Sequence, residues 1–268
     1  MKCPHCGQEH PDELIECPET GKKLKRACKN SGCSYYGEYL YPLDLDTCPC
    51  CGRSLIINNN GHEFVDLGLS VKWGTCNVGA KKPEESGDYF AWGETCPKSE
   101  YTCVNLKYCN KPTGGNLSQL FRILTDRDRD TFSKYCTDSS YGTNDNRTIL
   151  ELSDDAARAN WGGAWRMPTT AEFQELLDKC TWEWTKINGK NGYKVTSKSN
   201  GNSIFLPAAG YRSGTGLYYV GSIGYCWSCS LNTYVPDSAQ YLSFGSGGRD
   251  TGKDYRYCGR SVRPVLPK

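Results

Sequence analysis

The segment Trp161-Gly162-Gly163-Ala164-Trp165-Arg166-Met167-Pro168-Thr169-Thr170-Ala171-Glu172-Phe173 carries the clearest helix start in the chain. Thr169 stands where an N-cap hydroxyl belongs, and Glu172 follows three residues later to complete a capping box. Phe173, Leu176, Leu177 and Cys180 then fall at i, i+3, i+4 and i+7, which makes one helix face apolar. Cys180 is therefore read as core and not as chemistry. Upstream, Ser153-Asp154-Asp155-Ala156-Ala157-Arg158-Ala159-Asn160 predicts a second helix, with Ser153 as N-cap and acids in the first turn.

On either side of these helices the signals are those of short strands. His62–Trp73 alternates well enough for a strand pair around Gly68, and Asp88–Glu94 reads as another short strand. Residues 97 to 148 are polar and punctuated by Pro112, Gly114 and Gly115, an insertion with one short helix expected around Ser118–Leu124. Val195, Ile204 and Leu206 mark later strands, followed by Gly/Ser-rich turns. The expected class is α+β, two helices packed on small, irregular antiparallel sheets in a loop-rich body.

Tyr211–Arg260 has a different vocabulary. These 50 residues hold 8 of the chain's 18 tyrosines, with 9 Gly, 7 Ser and 4 Arg. They contain no Glu, Met or His, and only a single Lys (Lys253) and a single Gln (Gln240). Tyr supplies rigid amphipathic contact area with few torsions to freeze, while Ser, Gly and Asn supply adaptable polar contacts. The tract reads as a binding surface; the plainer alternative is a loop-rich β region in a Tyr-rich protein.

The 268 residues suffice for one sizeable domain and a small appendage. A formal net charge of +2 supplies no global field toward nucleic acid or anionic membrane. No apolar run approaches a membrane span, and the polar start (MKCPHCGQEH) lacks the apolar core of a secretory signal, so a cytoplasmic location is the default expectation. Of the 17 cysteines, 8 lie in the first 51 residues, and the odd total fits reduced thiols better than a closed disulfide framework.

Those early cysteines predict a zinc-binding head. Cys28-x4-Cys33 and Cys48-Pro49-Cys50-Cys51-Gly52 supply two close thiolate pairs, Cys28/Cys33 and Cys48/Cys51, able to close a tetrahedral shell around Zn²⁺ in a ribbon over 25–54. A degenerate ribbon over 1–24 offers Cys3, Cys6 and Cys17, with Thr20 where a fourth cysteine belongs. There His5 or His10 completes the shell, or no metal is held. Such small ribbons cannot fold on apolar burial alone, so a second zinc would supply most of the stability of that segment. The basic run Lys22–Arg26 is offset by Glu9, Asp12, Glu13, Glu16 and Glu19, which argues for a spacer or protein-docking module over a DNA reader. Residues 55–60 form a polar linker to a body spanning 61–268.

Several body segments are familiar. Arg166-Met167-Pro168-Thr169 with Glu172 resembles the Arg-Leu-Pro-Thr-x-x-Glu segment of C-type lectin folds of the formylglycine-generating-enzyme type. Glu63–Leu69, Gly87–Glu94, Ser203–Gly210 and Ser261–Val265 together resemble the Bacteroides/Fibrobacter major paralogous domain, over about residues 61 to 268 apart from the insertion. Some members of that family are variable proteins of diversity-generating retroelements, in which template adenines are mutated. AAC codons then become Tyr, Ser, Asp, Gly, Ile, Arg, Cys and others, but never Glu, Lys, Gln, Met or Trp, which matches the bias of 211–260. The resemblance implies a framework (Gly221, Gly224, Trp227, Ser228, Ala239, Leu242, Phe244) interleaved with ligand-binding variable positions. The latter are Tyr218, Tyr219, Ile223, Tyr225, Cys226, Cys229, Tyr234, Val235, Asp237, Ser238, Tyr241, Arg249, Asp250, Asp254, Tyr255 and Tyr257.

The function expected on this basis is non-enzymatic binding of a protein or other macromolecular ligand. The competing class is an oxidase of the same fold, which would use a cysteine pair such as Cys226/Cys229, activated by a cation such as Arg249 or Arg256. Cys226-Trp227-Ser228-Cys229 also has redox-motif spacing but no βαβ context. Calcium is not expected, since Val235-Pro236-Asp237 has valine where a Gln-Pro-Asp type of loop places its first ligand.

Overall fold

The computed structural model describes residues 60–110 and 131–268, together with the backbone of Lys25–Ala27 and Leu40–Pro42. The chain divides into two compact units, Met1–Asn58 and Asn59–Lys268. In the first, β1 (Lys25–Ala27) and β2 (Leu40–Pro42) pair antiparallel. The seven predicted zinc ligands and the helix expected at Ser118–Leu124 lie outside the described residues.

The second unit combines small antiparallel sheets with few helices and much irregular chain. Its first sheet joins the start of the body to the end of the chain. β3 (Phe64–Val65) and β15 (Val265–Pro267) flank β4 (Val71–Gly74), with Val65 and Val265 both opposite Trp73. The β3–β4 turn is the one expected around Gly68; Gly68 has a φ of 71° and its N–H is accepted by Asp66 Oδ1 at 2.8 Å. Arg263, fully buried, fastens this region to the next sheet. Its Nε donates to Asn77 Oδ1, Nη1 to the Gly74 carbonyl and Nη2 to the Phe205 carbonyl, at 2.9–3.0 Å. A second sheet comprises β7 (Cys180–Ile187), β8 (Lys190–Ser197) and β9 (Ser203–Pro207).

The long helix spans Thr170–Lys179 and opens with both halves of the capping box in place. Glu172 also receives a bidentate pair from Arg166, at 2.8 and 2.5 Å, which ties the Arg-Met-Pro-Thr approach to the helix start. Phe173 and Leu176 are buried as the periodicity demands. Cys180 is also buried, but as the first residue of β7, because the helix ends at Lys179. The short helix spans Ala156–Trp161, and its N-cap is Asp155 rather than Ser153: the Asp155 carboxylate accepts from Arg158 N at 2.9 Å and from Met167 N at 2.8 Å. Ser153 instead sits within a 3-10 turn, Leu152–Asp154. Asp88–Glu94 forms no ladder either. It runs beside 256–260 through a single bridge, Phe90 to Arg260, and a Trp92 N–H to Arg256 carbonyl bond of 2.8 Å.

The stretch 97–148, expected to be a polar insertion, contributes core. Tyr101, Leu106, Phe132, Tyr135 and Cys136 are all buried. Tyr counts as polar in a hydropathy reading, yet it buries readily once its hydroxyl finds an acceptor; Tyr101 donates to the Tyr89 carbonyl at 2.6 Å. The anchor of this region is Asp154, only 1% exposed. Its two oxygens accept from Lys107 Nζ and Tyr108 Oη at 2.7 Å and from Lys134 Nζ and Tyr135 Oη at 2.6 Å. Burial by itself would raise the Asp154 carboxyl, but these four donors hold it well below the usual carboxylate range.

Candidate ligand-binding face

Half of the tyrosine-rich tract lies in one three-stranded sheet: β12 (Ile223–Leu231), β13 (Ser238–Gly245) and β14 (Gly248–Tyr255), in that order. A short hairpin, β10 (Tyr211–Ser213) with β11 (Gly216–Tyr218), precedes them. The register sets Tyr225 opposite Ser243 and Ser243 opposite Asp250, with Trp227, Tyr241 and Gly252 in the adjoining row. Residues paired across strands share a face, so Tyr225, Ser243, Asp250, Tyr241 and Gly252 form the outer side, with Trp227 fully buried beneath it, while Gly224, Cys226, Leu242 and Phe244 turn inward. The inner side chains join Trp73, Phe173, Val195 and Leu206 in one core cluster. A groove of about 520 Å³ runs over the outer side, lined by Ile223, Tyr225, Tyr241, Ser243, Arg249 and Asp250. Gly252 shapes it, because a Cβ there would lie 2.8 Å from the Tyr241 ring, which occupies the space a side chain would take.

The rings on this side touch one another. Tyr211 lies 5.5 Å from Tyr218, 6.1 Å from Tyr219 and 5.4 Å from Tyr225, and Tyr225 lies 5.6 Å from Tyr241. Beneath them sits Arg260, 2% exposed. Its guanidinium faces the rings of Tyr241 (4.0 Å to centroid), Tyr225 (4.4 Å), Trp227 (4.9 Å) and Tyr211 (5.4 Å). Cation–π attraction of this kind is strongest where water is excluded. Nη2 is paired with Asp254 on the edge strand, whereas Nε and Nη1 have no hydrogen-bond partner. Burial raises the phenol pKa of Tyr211, Tyr225 and Tyr241, partly offset by the Arg260 charge, so all three remain neutral donors at neutral pH.

The predicted positions divide three ways. Tyr218 (47%), Tyr219 (56%), Tyr234 (88%) and Tyr255 (48%) are exposed, as are Arg249 and Asp250. Ile223, Tyr225, Val235, Asp237, Tyr241, Asp254 and Tyr257 are half-buried. Cys226 (2%), Cys229 (3%) and Ser238 (7%) are buried and do not reach the surface. Alternation along β12 ends at Cys226 because both sides of the strand are covered beyond it. The Cys229 N–H donates to the Pro168 carbonyl, and the Leu150 N–H to the Cys229 carbonyl. Ser238 is pinned likewise, donating its N–H to Val235 and accepting at its carbonyl from Asn232.

Burial also bears on the oxidase expectation. Desolvation pushes the Cys226 thiol up to about 11 and Cys229 up to about 12, away from the thiolate a reactive cysteine needs. The two belong to different core clusters. Arg256, one of the cations expected beside them, is instead enclosed by Trp92, Phe132 and Tyr135 and donates to the carbonyls of Tyr135, Pro236 and Lys134. Among the described residues no cluster of three or more His, Cys, Asp or Glu could hold a metal. His62, whose pKa burial lowers, stacks on Trp161 at 4.1 Å.

Sequence reasoning missed Arg260 as the centre of the ring cluster and Tyr211 as its hub. It also missed Leu217 and Val220, which extend the exposed Tyr218–Tyr219 tip. The available signal was the spacing Arg256-x3-Arg260-x2-Arg263, three arginines at and just beyond the end of the tract whose neighbours, Cys258 and Val262, are apolar. No helix of the described residues is long and apolar enough to cross a membrane. No protein-family model, curated protein or solved structure matches the chain.

Proposed function

We propose that the chain is a non-enzymatic binding protein with a C-type lectin-like body, whose outer β12–β14 face and β10–β11 tip recognise a protein or other macromolecular ligand. What supports this is the division of side chains within one tract. Trp227, Leu242 and Phe244 are at most 1% exposed, while Tyr218, Tyr219, Tyr234 and Tyr255 stand 47–88% exposed. Tyr and Arg are the residue types that most often dominate interface energetics, and here Tyr225, Tyr241 and Arg249 line the groove. The lectin-like reading is supported by a sheet that joins the start and end of the body, β3-β4-β15, and by the capped helix that follows Arg166-Met167-Pro168. Diversification by a retroelement accounts for the composition of 211–260, and the surface it would vary is the exposed and half-buried set. Zinc held by Cys28, Cys33, Cys48 and Cys51, and in a second ribbon by Cys3, Cys6 and Cys17, rests on thiolate spacing. Such a head would serve as a protein-docking module.

Joint replacement of Tyr218, Tyr219, Tyr234 and Tyr255 by Ala should leave the thermal midpoint within a few degrees of the parent and abolish ligand binding; collapse of the fold would make these tyrosines core and end the proposal. The diversification part is tested separately in the genome. A reverse-transcriptase gene should lie beside a near-copy of the coding sequence for 211–260 that differs chiefly at adenines. Metal analysis of the purified full chain tests the head: less than one zinc per chain refutes both ribbons.

A further inference from the structure

Away from the tyrosine face, Cys103 opens a single 3-10 turn, Cys103–Asn105, and Cys109 opens β5 (Cys109–Asn110), which pairs with β6 (Thr131–Phe132). Between them lies Leu106, 4% exposed, so the turn is anchored from inside. The two sulfurs are 2.6 Å apart, about 0.5 Å longer than a disulfide bond of ~2.05 Å. The two sulfurs are thus within about half an ångström of bonding distance. Both cysteines are half-buried and reachable by a small molecule, unlike Cys136, Cys180, Cys226, Cys229 and Cys258, which are buried. The thiolate is the form of either cysteine that attacks a disulfide.

We propose that Cys103 and Cys109 are a dithiol oxidation site that closes to an intramolecular disulfide with a low-molecular-weight disulfide such as oxidised glutathione. The Cys109 thiolate attacks one glutathione sulfur, forming a mixed disulfide and releasing one glutathione thiolate. The Cys103 thiolate then attacks Cys109 Sγ and expels the second. The pair loses two electrons and the oxidant gains two, and the two cysteine protons end on the two glutathione thiols. The bond clips the 3-10 turn to β5 at the edge of the cluster formed by Tyr89, Tyr101 and Phe132. Tyr257 also packs on that cluster and stacks on the exposed Tyr255 at 5.3 Å.

The test uses the full chain equilibrated in glutathione buffers of increasing oxidised fraction, quenched in acid, alkylated with N-ethylmaleimide and digested with trypsin. Cleavage after Lys98 and Lys107 separates the two cysteines into Ser99–Lys107 and Tyr108–Arg122. The expected product is these two peptides joined, lighter by two hydrogens than their sum and lost on reduction. It should form at lower oxidised fraction than any adduct on Cys136, Cys180, Cys226, Cys229 or Cys258. In Cys103→Ser, Cys109 should stop at the glutathione mixed disulfide. The proposal is overturned if both cysteines carry maleimide when exposed Cys96 is already glutathionylated, or if Cys109 in Cys103→Ser is cross-linked to another cysteine.

Discussion

Two clusters in this molecule are built from tyrosine, a cation and an aspartate, and they differ in whether their polar atoms are used up. At Asp154 both carboxylate oxygens are taken, by two ammonium groups and two phenols at 2.6–2.7 Å. At Arg260 two of the guanidinium nitrogens lack a hydrogen-bond partner, the aspartate partner is 29% exposed, and the rings stand one side to the cation and the other toward the groove. The first arrangement leaves a ligand nothing to bind. The second leaves aromatic surface and phenol hydroxyls facing outward, which is what recognition needs. Tyrosine content alone does not distinguish a pin from a binding face; the saturation of its polar partners does.

Breaking the closed cluster should have the largest effect. Asp154→Ala removes the shared acceptor of Lys107, Lys134, Tyr108 and Tyr135; Lys134 keeps Glu151 and Lys107 reaches water, so the loss is about 3 kcal/mol, the upper end for buried donors left without a partner, readable as a shifted urea midpoint. The same group sets a pH dependence. Its folded pKa is depressed, so its contribution is fully present above the unfolded aspartate value of ~3.9 and is lost as pH falls toward the folded one. The stability gap between the parent and Asp154→Asn should therefore be constant from pH 5 to 7 and narrow below about pH 4. A gap that does not change with acid would mean that the carboxylate charge is not what closes the cluster.

An intermediate effect is expected at the floor of the open cluster. Gly252→Val puts side-chain atoms where the Tyr241 ring lies, and overpacking of this sort costs about 1–3 kcal/mol when the ring cannot leave. Because the ring borders an open groove, the loss should sit at the lower end of that range while binding falls sharply. The smallest effect belongs to the loop between β12 and β13: replacing Tyr234, 88% exposed, by Ala should cost no more than about 0.5 kcal/mol. A larger loss measured by chemical denaturation would erase the distinction between the two clusters.

Much of the scaffold is legible in the chain because its signals are local. The Thr169–Glu172 capping box, the apolar positions Phe173 and Leu176, and the turn at Gly68 each depend on residues within four positions of one another, and each forms as read. Ser153 misled because Ser, Asp154 and Asp155 are all good N-caps. Asp155 caps the helix once Asp154 is drawn into its ring of donors, a choice made by Lys107 and Lys134 from outside the segment. In the tract, the inward positions Leu242 and Phe244 follow from strand alternation. Cys226 follows from it too, as the partner of Leu242; Cys229 and Ser238 do not, since Cys229 is covered by Pro168 and Leu150 and Ser238 is held by its own loop.

By itself, then, the sequence determined the short-range elements and an unusual surface chemistry between Tyr211 and Arg260, because helix caps, apolar periods and residue vocabulary are properties of neighbours. Only the tertiary structure decided which tyrosines became a pin and which a face. That choice rests on contacts between residues as distant as Trp227 and Phe90, or Arg263 and Asn77, and on whether each buried polar atom finds a partner when the strands close. Saturation of hydrogen bonds is a three-dimensional quantity, and no stretch of this chain encodes it locally.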